Sequence, residues 1–196
     1  TFARREHQGV QADVILFHPY DGQHGFDEMT PEQDARYLRY VVARLSAYRN
    51  VWWSMANEFD ILKSKTDEDW DRLFQVVRDA DPHGRLRSIH NWRRYYDNGK
   101  PWVTHSSIQN GSAVLDDVRA ETYRSVWKKP VVFDEVCYEG NLDERWGDLT
   151  GPEMVRAFWH GLIGGTYVGH SECFPKPGGT AGGFWLGEGG ELRGES

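Results

Sequence analysis

Short apolar runs alternate with longer amphipathic stretches along most of the chain. Six runs rich in β-branched and aromatic residues predict strands at 12–17, 51–56, 86–90, 102–108, 130–134 and 165–169. Between most of them, apolar residues recur at spacings of three and four, which predicts amphipathic helices. Strands that alternate with helices are typical of a parallel sheet, so we expect an α/β fold.

The predicted helices begin at recognisable capping residues. The sequence Thr-Pro-Glu-Gln at 30–33 combines a cap, a proline in the first turn and the spacing of a capping box. Thr150 and Glu153 have the same spacing. We therefore expect helices that start near residues 30, 66, 113 and 150. Residues 174–196 are Gly-rich and aperiodic, which predicts a C-terminal loop segment.

Charge and hydropathy exclude two classes of partner. Lys and Arg total 23 and Asp and Glu total 30, so the net charge is −7, and no basic run could bind a phosphate backbone. No apolar run approaches the roughly 18 to 20 residues that cross a bilayer, and the first residues lack the apolar core of a signal peptide. We expect no nucleic-acid partner and no membrane insertion. A cytoplasmic location is favoured, although any targeting signal would precede Thr1.

The two cysteines, Cys137 and Cys173, are too few for a disulfide framework. One bridge between them and two free thiols are both compatible with the sequence, so the redox compartment stays open.

Aromatic residues make up 14% of the chain, with nine each of Trp, Tyr and Phe, and many lie beside His, Asp or Glu. This composition suits a sugar site, because the apolar faces of pyranose rings stack on aromatic rings while their hydroxyls bind polar groups. An aromatic-rich core would give the same count.

Polar side chains cluster after the predicted strands. In a parallel β/α architecture that position is one rim of the sheet, where ligands bind. A merely solvated rim would also be polar, but it would rarely be so rich in His and Trp. The candidates are His18, Asp21, Asn57, Glu58, His90, Asn91, Trp92, His105, Glu135, Tyr138, His170 and Glu172.

Two carboxylates stand out in this group. Glu58 and Glu135 each end an otherwise apolar strand, where an unpaired charge would cost several kcal/mol. Glycosidic cleavage requires such a pair, one acid to protonate the departing oxygen and one carboxylate to attack or stabilise the anomeric carbon. A salt bridge to Arg is the alternative for either residue alone.

Four segments, LFHPYDGQHGFDEM, WWSMANEFD, PVVFDE and GELRGES, occur in this order between residues 16 and 196, so the resemblance that they carry extends over nearly the whole chain. Together with Asn57-Glu58 after one strand and Glu135 three strands later, they resemble the clan A retaining glycoside hydrolases. The resemblance is most specific to the cellulase-like and apiosidase-like glycosidases of that clan.

The resemblance implies a partial TIM (β/α)8 barrel made of strands 3 to 8 with their helices, and one incomplete catalytic barrel over residues 1–196. About 250 residues are typical of the whole barrel. We therefore expect the first two strands and the last helix to be missing, and the fragment alone to lack rim residues needed for activity.

The resemblance also implies roles for individual residues in cleaving a glycoside without a cofactor or metal. Glu58 would be the general acid/base, Glu135 the nucleophile, and Asn57 a donor to the sugar 2-hydroxyl. The side chains of His18, His90, His105 and His170 would bind hydroxyls or orient the two acids. The candidates for stacking on sugar rings are Trp52, Trp53, Trp92 and Trp185.

Three other interpretations stay open. A metal-dependent barrel hydrolase could use His18, His90, His105 and His170 as ligands, although the spacings typical of zinc sites are absent. A carbohydrate-binding or vestigial barrel would keep the aromatic residues without turnover. Cys137 could be a nucleophile, but packing as a small apolar residue suits it better.

Overall fold

The computed structural model describes residue 4 and residues 7–20, 22, 24–109, 117–176, 183 and 190–196. The chain divides into two compact units, Thr1–Ser106 and Ser107–Ser196. Each unit buries its own cluster of apolar side chains.

The first unit is built on a parallel sheet of three strands. Strands β1 (Ala12–Phe17), β2 (Val51–Ala56) and β3 (Arg87–Ser88) lie in that order. Helix α1 (Pro31–Leu45) connects β1 to β2, and α2 (Asp67–Ala80) connects β2 to β3. The predicted alternation of strand and helix is confirmed here, and β1 and β2 have the predicted bounds.

Capping and apolar spacing explain why these helices form. The Thr30 hydroxyl accepts the Gln33 N–H at 3.3 Å, and the Gln33 side chain accepts the Thr30 N–H at 2.8 Å, so both halves of the capping box are present. Behind the caps, Leu38 of α1 and Trp70 of α2 are fully buried. The apolar face of each helix therefore packs into the core of the first unit.

The second unit contains the remaining strands and helices. Strands β4 (Ser106–Gln109), β5 (Val131–Glu135) and β7 (Tyr167–Val168) form a second sheet in that order, in which β5 and β7 are parallel. The short strands β6 (Glu139–Gly140) and β8 (Glu172–Cys173) form a separate parallel pair. The helices of this unit are α3 (Asp117–Trp127) and α4 (Gly151–Ile163). Single turns of 3-10 helix occur at Phe59–Ile61 and Arg145–Gly147.

The chain is therefore a mixed α/β protein with parallel sheets. Among the described residues, the strands hydrogen-bond in these three groups and do not close into a barrel. None of the helices in the described ranges combines the length and apolar character needed to cross a bilayer.

The strand predicted at 102–108 begins four residues too early. Val103 N–H donates to the Lys100 carbonyl at 3.1 Å and closes a turn. The Trp102 indole nitrogen donates to the Tyr96 hydroxyl at 3.0 Å. The start of this apolar run therefore forms a turn, and its tryptophan packs against the first unit without belonging to a strand. The strands predicted at 86–90 and 165–169 are also shorter, and the predicted helix start at 113–116 lies outside the described residues.

Two buried carboxylates hold the described end of the Gly-rich segment. Glu172 accepts the backbone N–H of Arg193 at 2.5 Å and that of Gly194 at 3.2 Å. Glu139, whose side chain is fully buried, accepts the N–H of Glu195 at 3.1 Å. These contacts attach residues 193–195 of the segment to the second unit.

Cys137 and Cys173 are both free and buried, which answers the question that the sequence left open. Cys173 Sγ lies 3.3 Å from the carbonyl oxygen of Gly147 and 3.6 Å from that of Glu139. A Cβ atom on Gly140 would lie 2.6 Å from the same sulfur, so a glycine is required beside it. Burial raises the pKa of the Cys173 thiol to about 11.

Asp81 organises the turn between α2 and β3. Its buried carboxylate accepts the Trp53 indole N–H at 3.1 Å and the backbone N–H groups of His83 at 3.1 Å and Arg85 at 2.8 Å. The Arg85 guanidinium adds an ion pair at 2.7 Å. Burial alone would raise the pKa of Asp81, but these donors outweigh it and the pKa lies below its ordinary value.

We expect Asp81→Asn to lower the free energy of unfolding by about 2 to 4 kcal/mol, because it removes a charged acceptor from buried donors. Urea unfolding of the chain at neutral pH measures the change. The matched control is Asp79→Asn, which alters an exposed carboxylate paired with Arg78 and should cost under about 0.5 kcal/mol. Equal effects of the two variants would contradict the role given to Asp81.

Candidate active site

The carboxyl ends of the first sheet carry several of the predicted site residues. Because the three strands are parallel, the segments that follow them emerge at the same edge of the sheet. His18 follows β1, Asn57 and Glu58 follow β2, and His90 and Trp92 follow β3.

Glu58 has an unusual backbone conformation. Its φ and ψ are 44° and 52°, in the left-handed region that costs a residue with a side chain about 1 to 2 kcal/mol. Hydrogen bonds on both sides hold it there: His90 N–H donates to the Ala56 carbonyl at 3.0 Å, and Phe59 N–H donates to the His90 carbonyl at 2.9 Å. Strain of this kind that the surrounding structure maintains is common at functional sites.

Tyr20 connects the two residues that follow β2. Its hydroxyl donates to Glu58 Oε2 at 2.5 Å and accepts a hydrogen bond from the Asn57 side-chain amide. Sequence reasoning missed this residue. The available signal was the rim position of Tyr20, two residues after His18 in the loop that follows β1.

A cavity of about 300 Å³ opens beside Tyr20. His18, His24, Asp27 and Lys63 contribute polar groups to its lining. The His18 ring meets the Tyr20 ring edge-to-face at 4.9 Å and the His24 ring at 5.1 Å between centroids. The cavity therefore has both aromatic walls and hydrogen-bonding groups.

Asp60 holds the loop that presents Trp92, and sequence reasoning also missed it. Its buried carboxylate accepts the backbone N–H groups of Trp92 at 2.6 Å, Arg93 at 3.0 Å and Arg94 at 2.9 Å. Burial raises the pKa of Asp60, but these three donors outweigh it, so the net pKa is lowered. Trp92 is 40% exposed, with the Arg93 guanidinium 4.0 Å from its ring centroid.

Two of the predicted histidines are buried. His90 is 3% exposed and uses its main chain to connect β2 to the Glu58 turn. His105 is 5% exposed, with Nδ1 3.0 Å from the Thr104 hydroxyl and its ring 5.3 Å from that of Trp52. Burial lowers the pKa of His105 to about 4, which keeps the ring neutral at physiological pH.

The two adjacent tryptophans of β2 have different surroundings. Trp53 is fully buried and donates its indole N–H to Asp81, so it is a core residue. Trp52 is only partly buried and packs on His105.

Glu135 is the last residue of β5 in the second unit. Glu135 is partly exposed, and its Oε2 atom accepts a hydrogen bond from the Gln109 side-chain amide at 2.9 Å. The neighbouring Asp134 accepts the Ser107 hydroxyl. Both contacts come from β4, which lies beside β5 in the sheet, so the second carboxylate also has a donor that fixes its orientation.

The loop after β5 holds Cys137 and Tyr138. Cys137 has a φ of 76° and is 6% exposed, and burial raises the pKa of its thiol, which disfavours the thiolate that a nucleophile needs. Tyr138 packs edge-to-face on Trp146 at 5.9 Å, and its N–H donates to the Trp146 carbonyl at 2.7 Å.

His170 and Glu172 lie in the part of the second unit that binds the C-terminal segment. His170 Nε2 is 3.5 Å from Glu139 Oε2 and 3.1 Å from the Ser196 hydroxyl. With Glu172 bound to backbone N–H groups, both residues already have partners within the protein. The remaining two candidates, Asp21 and Trp185, lie outside the described residues.

In the first unit, His18, Asn57 and Glu58 thus all contact Tyr20. In the second unit, Gln109 donates a hydrogen bond to Glu135. In the parts of the chain that the structure describes, no three His, Cys, Asp or Glu side chains are arranged to hold a metal ion.

Comparison with known sequences decides the family. The sequence profile of the apiosidase-like catalytic domain matches residues 7–171, a span that includes both glutamates. The chain belongs to this family. Among curated proteins, no sequence matches it significantly.

Several solved structures are similar to this chain. A Bacteroides vulgatus protein assigned as a glycoside hydrolase is 46% identical, with a TM-score of 0.89 over 100% of this chain and 38% of its own length. A family 5 glycoside hydrolase from the same species has 16% identity and a TM-score of 0.66, over 91% of this chain and 44% of its own. A β-D-glucuronidase from Dictyoglomus thermophilum has 17% identity and a TM-score of 0.53, over 76% of this chain and 30% of its own. The last two likenesses concern the fold alone.

We expect stability to fall as the pH is lowered from about 6.5 to 4, because the unfolded chain takes up a proton on His105 before the folded chain does. Between these two pH values, His105 alone should lower the free energy of unfolding by about 3 kcal/mol. His105→Gln removes the titrating ring, so its unfolding free energy should have a shallower pH slope than that of the wild type. Urea unfolding at several pH values measures both slopes. Parallel slopes for the wild type and His105→Gln would contradict the prediction.

Proposed function

We propose that this chain is the catalytic part of a retaining glycoside hydrolase, with Glu58 as general acid/base and Glu135 as nucleophile. The observation that carries the proposal is the apiosidase-like family match over residues 7–171, which spans both glutamates. Each of them also lies at the carboxyl end of a parallel strand and accepts a hydrogen bond from a neighbouring side chain.

The proposed reaction has two steps. Glu58 donates a proton to the glycosidic oxygen while Glu135 attacks the anomeric carbon, so the sugar becomes covalently bound and the leaving alcohol departs. Glu58 then removes a proton from water, which attacks the same carbon and releases Glu135 with retention of configuration. Retention requires the two carboxyl groups to be about 5 Å apart, against about 6.5 to 9.5 Å for inversion.

The surroundings of Glu58 support its part in this reaction. The left-handed backbone projects the side chain from a turn that hydrogen bonds hold on both sides. A group that must meet a glycosidic oxygen in a narrow range of orientations benefits from such fixation.

The predicted substrate contacts divide by exposure. We propose that Asn57 donates to a sugar hydroxyl, that His18 binds a hydroxyl from the wall of its cavity, and that Trp92 stacks on a sugar ring. The buried rings of His90 and His105 would orient neighbouring groups. The same proposal includes the exposed His170, the less accessible Tyr138 and Glu172, and the two residues outside the described ranges, Asp21 and Trp185.

We further propose that β1 to β5 and β7 correspond to strands 3 to 8 of a (β/α)8 barrel. The regular succession of strand and helix and the likeness to glycoside hydrolases support this. The chain spans 38% of the length of the Bacteroides vulgatus protein that it matches with 46% identity, so the substrate is proposed only as a glycoside.

We expect Glu135→Gln to lower kcat by at least about 10³-fold and Glu58→Gln to lower it by about 10² to 10⁴-fold, since one removes the nucleophile and the other the proton donor. Hydrolysis of a panel of aryl glycosides, including apiosides, measures both in a protein that supplies the complete barrel together with this chain. NMR of the first product reports whether the anomeric configuration is retained. The matched controls are Glu121→Gln and Glu68→Gln, at exposed helix positions in the same units, which should keep wild-type turnover.

Other outcomes would select other functions. Sugar binding with no turnover, unaffected by either glutamate substitution, would make the protein a carbohydrate-binding barrel. Turnover that survives both substitutions but is lost on metal chelation would make it a metal-dependent hydrolase.

A further inference from the structure

The hydroxyl of Tyr20 has a fixed direction of hydrogen bonding. A phenol has a single hydrogen to donate, whereas an amide nitrogen can only donate. The Tyr20 oxygen accepts from the Asn57 amide, and its own hydrogen is directed to Glu58 Oε2, 2.5 Å away. The chain of bonds therefore runs from Asn57 through Tyr20 to one named oxygen of Glu58.

We propose that Tyr20 is a positioning residue that decides which oxygen of Glu58 delivers the proton. Oε2 is engaged as an acceptor, so the proton that Glu58 gives to the glycosidic oxygen is carried on Oε1. This inference rests on the proposed function, because Tyr20 can orient the proton of Glu58 only if Glu58 is the general acid. In that step the O–H bond at Oε1 breaks, the leaving alcohol gains the proton, and Glu58 becomes a carboxylate whose Oε2 keeps its bond to Tyr20.

A series of edge-to-face ring contacts links Tyr20 to the core of the first unit, through the partly buried His18 and the exposed His24. Edge-to-face contacts run from Tyr20 to His18 at 4.9 Å, from His18 to His24 at 5.1 Å, and from His24 to Phe26 at 6.5 Å. Phe26 then packs on the fully buried Phe17 of β1 at 5.6 Å. A hydroxyl fixed in this way holds the carboxyl group in one orientation before substrate arrives, which is the condition for an effective proton donor.

Asn57 is able to serve both Tyr20 and the substrate. Its amide nitrogen carries two hydrogens, and one of them is directed to Tyr20. The second remains compatible with the proposed bond to a sugar hydroxyl. Binding of the substrate next to Asn57 and alignment of the acid are thus coupled through one amide group.

The test is Tyr20→Phe, which removes the hydroxyl and keeps the ring. Two aryl glycosides of the same sugar are compared, one with a phenyl and one with a 2,4-dinitrophenyl leaving group, because dinitrophenolate departs without protonation. The value of kcat/KM reports bond cleavage in both. We expect a roughly 10 to 100-fold loss on the phenyl glycoside, part of the contribution of a general acid. We expect less than about a threefold loss on the dinitrophenyl glycoside.

Tyr40→Phe is the matched control, because Tyr40 is 66% exposed on α1 of the same unit and should leave both substrates unaffected. Equal losses on the two substrates, or no loss on either, would overturn the inference. Glu58→Gln measured beside it separates the two proposals. If Glu58→Gln discriminates between the leaving groups and Tyr20→Phe does not, the role of Tyr20 alone fails; if Glu58→Gln does not discriminate, the acid/base assignment itself fails.

Discussion

The backbone of Glu58 depends on hydrogen bonds that extend the pairing of β2 and β3 beyond the ends of both strands. His90 donates its N–H to Ala56 before the turn and accepts from Phe59 after it, so the left-handed residue is held between two fixed points. A glutamate would not adopt this conformation in an unrestrained loop, where an extended or right-handed backbone is more stable. Hydrogen bonds at the end of the sheet therefore stabilise the left-handed backbone of Glu58.

Buried carboxylates fix the surrounding loops in a similar way. Asp60 binds three consecutive N–H groups of the segment that carries Trp92, and Asp81 binds the turn before β3. Each acid contacts backbone donors that a loop would otherwise leave to water. At the carboxyl edge one side chain, Asp60, thus shapes the loop that carries Trp92, whereas Asp81 does the same for a turn at the opposite, amino edge of the sheet.

Local signals in the sequence were sufficient for much of the fold. Alternating apolar runs gave the bounds of β1 and β2, and the capping residues gave the start of α1, because these features act within a few residues of the chain. The strand predicted to start at Trp102 was wrong at that end, because the partly buried tryptophan lies in a turn closed by the Lys100 carbonyl. The pair β6 and β8 was not predicted either: each has two residues, and they meet only through the tertiary fold.

For the candidate site, the sequence was sufficient to select residues by position but not to identify their contacts. Position after a strand was enough to select Asn57, Glu58 and Glu135 as candidates. It was not enough to find Tyr20 or Gln109, whose importance comes from the atom that each one contacts across the fold. Position alone also does not separate a substrate contact from a structural role, because a polar residue after a strand can bind the backbone of its own chain, as Glu172 does.

The enclosed sulfur of Cys173 affects how the second unit responds to its chemical surroundings. Thiol exchange requires a thiolate that an attacking or attacked sulfur can reach, and Cys173 and Cys137 are both buried with raised pKa values. Neither thiol can pair wrongly or react readily with small oxidants while the unit stays folded. The fold of this unit therefore does not depend on a bond between its two cysteines, and packing together with the hydrogen bonds of Glu139 and Glu172 stabilises it.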